Sequence, residues 1–172
     1  MTALIDFGPY LCRLAVLPSL RCLMIGEGQA GEAEFVAHAV CQKEGDRLFV
    51  VHRWPDVATE QRFRERLARF GEKVAVRATE APVSWIAKPV PYQRELAGGL
   101  HFIYVDARAM NAMEIACRSD QAWDRLRPDG VMVWRDYLHP RRGDIKKAVD
   151  QVLKDRPHRV VFKNGYLGVA SG

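Results

Sequence analysis

The chain has 172 residues and a mass of 19.5 kDa, with 48% hydrophobic and 27% charged residues, the balance of a globular domain large enough to bury a sizeable core. A total of 26 Lys and Arg against 21 Asp and Glu gives a net charge of +5. Most of these basic residues alternate with acids, so the excess permits an anionic substrate or nucleic acid but argues for neither, and no nucleic-acid partner is expected. No apolar run approaches the roughly 20 residues of a membrane span. Asp6 and Pro9 interrupt the N-terminal apolar residues, unlike a signal peptide, and the scattered Cys12, Cys22, Cys41 and Cys117, with no CxxC pair, read as reduced thiols of a cytoplasmic protein.

Neither repeats nor a low-complexity linker divide the sequence, which therefore reads as one domain over 1–172, residues 1–20 forming an N-terminal extension that packs on it. Leu23 to Ile25 read as a buried strand, followed at once by Gly26, Gly28 and Gly31 in G-x-G-x-x-G spacing and then by a helix carrying Ala33, Phe35, Val36, Ala39 and Val40. Strand, glycine turn and helix together are the context in which this spacing points to a nucleotide-type cofactor. The glycines admit close approach of a ligand, and the helix N-terminus favours negative charge. Arg47–Val51 is a second strand. Asp56 caps a third segment, a helix with Phe63, Leu67 and Phe70 inward and Arg62, Arg64, Arg66 and Arg69 on a solvated face, ending at Gly71. Lys73–Arg77 is a third strand, and the stretch from Thr79 to Gly99, broken by Pro82, Pro89 and Pro91, reads as an irregular connection or pocket rim.

The second half alternates more regularly. His101–Val105 forms a fourth strand ending at Asp106, and a helix carrying Met113, Ala116, Trp123 and Leu126 leads to Pro128-Asp129-Gly130. Val131–Trp134 is a fifth strand running into Arg135-Asp136-Tyr137, and Ile145, Ala148, Val149, Val152 and Leu153 describe a strongly amphipathic helix. Arg159–Lys163 and Tyr166–Ala170 flank Asn164-Gly165, the strongest short hairpin signal. A parallel sheet closed by an antiparallel hairpin follows.

On these residues the chain resembles the class I S-adenosylmethionine-dependent methyltransferases over about 21–170. Leu126-Arg-Pro-Asp-Gly-Val-Met-Val133 is similar to the segment preceding strand five in that family. Val51-His-Arg-Trp-Pro55, Phe102-Ile-Tyr-Val-Asp106 and Asp136-Tyr137 with Ile145–Asp150 resemble motifs of a branch of small sugar and natural-product O-methyltransferases. The resemblance implies a Rossmann-like α/β fold, a seven-stranded, mostly parallel sheet in the order 3-2-1-4-5-7-6 with strand seven antiparallel and helices on both faces. It implies S-adenosylmethionine as cofactor at the carboxyl ends of strands one, two and four. Carried over residue by residue, cofactor contacts fall on Gly26, Gly28, Gly31, His52, Arg53, Thr79, Glu80 and Asp106, with Asp106 and His139 as candidate catalytic groups.

The cofactor motif departs from the family pattern. Met24 stands where strand one usually carries an acid, and His52 where an acid ending strand two holds the ribose; a neutral imidazole accepts one hydrogen bond where a carboxylate accepts two. Arg135 replaces the first acid of the pair that, with a strand-four Asp, holds Mg²⁺ in some members. A salt bridge from Arg135 to Asp106 and Asp136 is thus expected, and no metal site. Arg135, Arg141, Arg142, Lys146 and Lys147 could attract an anionic methyl acceptor, or simply form a polar helix face. The function expected is O-methyl transfer to a small molecule, with a homodimer permitted. Two alternatives stand beside it: a methyltransferase fold retained as a non-catalytic binding module, and an NADP-binding Rossmann protein with Arg53 on the 2′-phosphate.

Overall fold

The computed structural model describes residues 7–26, 30–78, 96 and 98–172. The apolar runs become seven strands of one sheet: β1 (Arg21–Gly26), β2 (Arg47–His52), β3 (Val74–Ala78), β4 (Leu100–Asp106), β5 (Leu126–Arg135), β6 (His158–Lys163) and β7 (Tyr166–Ser171). Their order is β3-β2-β1-β4-β5-β7-β6, the order expected from the sequence. β1, β2, β3, β4 and β5 run parallel, while β7 is antiparallel to both β5 and β6. Inserting β7 between β5 and β6 separates this topology from that of a dinucleotide-binding domain. The β6–β7 turn is fastened by Asn164, whose backbone N–H donates to the Tyr166 carbonyl at 2.9 Å while its side chain accepts from Tyr166 N at 3.0 Å.

Central strands are buried on both faces, which is why they read as unbroken apolar runs. Alternate residues divide between two cores. Leu23, Ile25, Ile103, Val105, Met132 and Trp134 face α4 (Ala112–Trp123) and α5 (Gly143–Leu153). Cys22, Met24, Val50, Phe102, Tyr104 and Val133 share the other core with residues of α1 (Gly8–Leu14), α2 (Ala30–Val40) and α3 (Val57–Leu67). In the latter, Phe7 is fully buried and stacks on Phe102 at 6.1 Å between ring centroids, so this residue is part of the core.

Asp56 caps α3 as its sequence position suggests, accepting from Thr59 N at 2.7 Å. The arginine face of that helix is solvated and paired: Arg64 with Glu60, Arg66 and Arg69 with Glu34. The helix α4 ends at Trp123, and Leu126, expected on it, is instead the first residue of β5. Met113 is 73% exposed, and the buried stripe of α4 is Ile115, Arg118, Ser119, Ala122 and Trp123. The helix begins at an Asn111 capping box with Glu114, and Met113, two residues before the buried Ile115, falls on the opposite side of the helix. Ser119 is inside because its Oγ accepts from the indole N–H of the fully buried Trp134 at 2.8 Å.

Candidate active site at the carboxyl ends of the strands

Register places three of the singled-out residues in one row. Gly26 is level with Asp106 across β1 and β4, and Ile25 is level with Val51, so His52 follows beside Gly26 at the end of β2. Gly26 has φ +117°, and a Cβ there would lie 2.5 Å from the Asp106 carbonyl oxygen and 2.9 Å from Met110 Cε. The first glycine of the motif is therefore required by the close passage of the chain leaving β4. Gly31 differs: it lies in the first turn of α2, where a Cβ would make ordinary contact with Arg66 at 3.7 Å. Gly28, Thr79 and Glu80 lie outside the described residues.

His52 is 4% exposed. Its ring meets Trp54 edge-on at 3.8 Å between centroids and lies 6.2 Å from the Phe63 ring. Burial lowers its pKa below the ordinary imidazole value, opposed by hydrogen bonding to the Gly26 backbone and by the charge of Asp106. The imidazole is thus neutral at pH 7, and Nδ1 is buried without a hydrogen-bond partner among the described residues. Such an atom calls for a ligand or water to satisfy it. Arg53, one residue on, is exposed and borders a cavity of about 30 Å³ with Gly26, Met110, Glu114 and Arg118.

Next to this row lies a buried charge network whose pairing differs from the expected one. Arg135 binds Glu32, on the first turn of α2, and keeps Asp136 at 3.8 Å; it does not pair with Asp106. Asp106 is held instead by Arg108 in a two-pronged fork, with Nε at 2.9 Å from Oδ1 and Nη2 on Oδ2. Arg108 also reaches to 3.8 Å from Glu32, and the Tyr104 hydroxyl donates to Glu32 at 3.2 Å. Burial, then the charge of Asp106, pushes the Tyr104 phenol well above its usual range, so it stays a donor. The two-residue spacing explains the exchange: Arg108 can fold back on Asp106 from its own turn, which frees Arg135 for Glu32.

Arg142 locks this turn in place. Its Nη1 donates to the Arg108 carbonyl at 2.7 Å and Nη2 to the Met110 carbonyl at 2.8 Å, while Nε binds Asp144 at 2.9 Å. Lys146 pairs with Asp150, which also accepts from the Tyr137 hydroxyl at 2.6 Å. Of the five basic residues in this region, Arg141 and Lys147 stay exposed with no ion pair among the described residues. His139 is exposed in the turn after β5, its Nδ1 accepting from Arg141 N at 3.2 Å.

Glu32 and Arg108 escaped the sequence reading. Glu32 carried a signal, since it stands at the four-residue spacing of the buried Val36 and Val40 and so on the inward face of α2. An acid at that place on a helix needs a cation. Arg108 carried none, because a loop residue two positions from its partner has no periodicity to betray it.

No family model and no curated protein matches the chain. Solved structures do. The TDP-rhamnose 3′-O-methyltransferase CalS11 of calicheamicin biosynthesis aligns over 100% of this chain and 80% of its own, at 13% identity and a TM-score of 0.72. An O-methyltransferase from Bacillus cereus, solved with S-adenosylhomocysteine, aligns over 96% and 80% at 14% identity and a TM-score of 0.68. TomG from Streptomyces achromogenes, an O-methyltransferase of tomaymycin synthesis solved with S-adenosylmethionine, aligns over 96% and 79% at 17% identity and a TM-score of 0.63. The fold is the Rossmann-like fold of class I methyltransferases.

Proposed function

We propose that this protein is an S-adenosylmethionine-dependent O-methyltransferase acting on a small molecule. The observation that carries the reading is the row formed by Gly26, His52 and Asp106 at three adjacent strand ends, with a buried, unpartnered His52 Nδ1 in it. A cofactor with ribose hydroxyls suits that acceptor. S-adenosylmethionine supplies an activated methyl group on a sulfonium centre. His52 Nδ1 would accept from the ribose, the turn after Gly26 would carry the amino-acid end, and Asp106 would supply negative charge to a cationic ligand. Arg108 already neutralises much of that charge, so binding is weaker than carboxylates at positions 24 and 52 would give. The CalS11 and TomG resemblances favour a sugar or natural-product acceptor, and exposed Arg141 and Lys147 suit an anionic one.

His139 is the candidate general base, on the strength of its exposed position in the turn after β5. Asp106 and Asp136 each face an arginine, and methyl transfer is therefore expected to be independent of added Mg²⁺ and insensitive to EDTA.

The test is calorimetric titration with S-adenosylmethionine and S-adenosylhomocysteine, on the wild type and on His52→Phe, which keeps the aromatic packing and removes the acceptor. Loss of a hydrogen bond to a buried group predicts about a tenfold weaker Kd in the variant. Equal affinity removes His52 from the site. No binding of either compound to the wild type overturns the reading, and binding without transfer to any sugar or phenolic acceptor favours the non-catalytic module.

A further inference from the structure

The opposite end of the sheet holds a cleft of about 530 Å³, bounded by the amino ends of β1, β4 and β5 and the segment after α1. This volume is within the range of small-molecule sites. Three basic side chains line it: Arg21, His101 and Arg127. His101 Nδ1 accepts from Arg21 N at 3.2 Å, which fixes the tautomer and leaves Nε2–H as a donor with no hydrogen bond among the described residues. Burial, then the positive charge of Arg127, lowers the His101 pKa and keeps that neutral donor form.

The cleft is also held open by unusual backbone. Ser19 (φ 52°) and Asp129 (φ 65°) are two of only three non-glycine residues with positive φ among those described, and both line it. Gly98 and Gly99, with φ 94° and 78°, lead into β4 on its rim. A Cβ on Gly99 would lie 2.6 Å from Arg127 Cγ, so the glycine makes room for the arginine, whose Nη1 is tied to the Gly98 carbonyl at 2.9 Å. Lys43 Nζ donates to the carbonyls of Ala15, Val16 and Leu17, fixing the wall after α1. Backbone conformations this costly persist where surrounding structure enforces them, and they concentrate at ligand sites.

We propose that this cleft is a second binding site, for a small organic acid whose oxyanion meets Arg127, Arg21 and His101 Nε2–H and whose apolar body rests on Leu14, Leu17 and Pro128. Arg127 and His101 present donors to the cleft, and Asp129 is the one acid among the described residues that line it. An arginine fork and a neutral N–H donor match the lone pairs of a carboxylate. The site is independent of the proposed cofactor region, which lies across the full length of the strands.

Amide NMR titration of the full chain with benzoate, and with its neutral isostere benzamide, tests the proposal. Saturable benzoate shifts are expected at Arg21, His101 and 127–130, with benzamide weaker by about tenfold, the worth of a charge-assisted hydrogen bond. Arg127→Gln should weaken benzoate by a similar factor while leaving titration with S-adenosylmethionine unchanged. Asp129→Asn, which tolerates positive φ and removes the opposing charge, should tighten benzoate binding and guards against a folding defect in the arginine variant. Equal response to benzamide, shifts centred elsewhere, or no effect of Asp129→Asn would overturn the assignment.

Discussion

Replacing Glu32 by Gln tests the charge network at its centre. The carboxylate is 5% exposed and faces Arg135, whose side chain is 16% exposed, with Tyr104 and Arg108 as further partners. Glutamine keeps the shape and still accepts from the Tyr104 hydroxyl, so the change isolates the charge. Breaking a buried pair on one side costs about 3–5 kcal/mol, and a surface pair about 0–1. Arg135 retains Asp136 at 3.8 Å and some solvent, which puts the expected loss near 3 kcal/mol, or roughly 6–12 °C in Tm for a chain of this size. Urea denaturation followed by circular dichroism gives the free energy. The double variant Glu32→Gln/Arg135→Met should recover more than half of it, because no unpaired charge is left inside. A loss below about 1 kcal/mol, or a double variant no better than the single one, would refute the claim that this pair is energetically buried.

Gly26→Ala should destabilise the fold by several kcal/mol by urea denaturation, since its Cβ meets the Asp106 carbonyl at 2.5 Å at a φ of +117°; a near-neutral effect would show that the turn after β4 can yield. A thiol reagent should titrate Cys12 and Cys117 quickly in the native protein, and Cys22 and Cys41 only on unfolding. The first two are exposed, and burial raises the other two, Cys41 to about 12; four fast thiols would contradict this packing. His52 and His101 have folded pKa values lowered by burial. The unfolded chain therefore binds more protons below about 6.5, and their contribution is complete above that pH and lost as pH falls from there toward the folded values. Urea midpoints at pH 7.5 and 5.5 should differ in that sense, by less in His52→Gln; an equal difference would remove His52 as a cause.

Much of this architecture is written locally. The strands ending at Gly26, His52 and Asp106 are apolar runs of a length that only a doubly covered sheet can bury, and Asn164-Gly165 specifies the hairpin that makes β7 antiparallel. Asp56 announced its helix by the hydrogen bond its side chain can make three residues on. Such features depend on contacts within a few residues, so the sequence exposes them directly. Pairing of charges across the sheet is different in kind. Arg135 was expected on Asp106, but Coulomb attraction does not depend on sequence separation, and the outcome turned on which guanidinium could reach which carboxylate. Arg108 reached Asp106 from two residues away, and Glu32, seventy-odd residues from either, was brought beneath Arg135 by the packing of α2. The cleft at the amino ends, assembled from segments near residues 17, 100 and 128, has no signature in any one of them; it exists only because parallel pairing brings their starting points together.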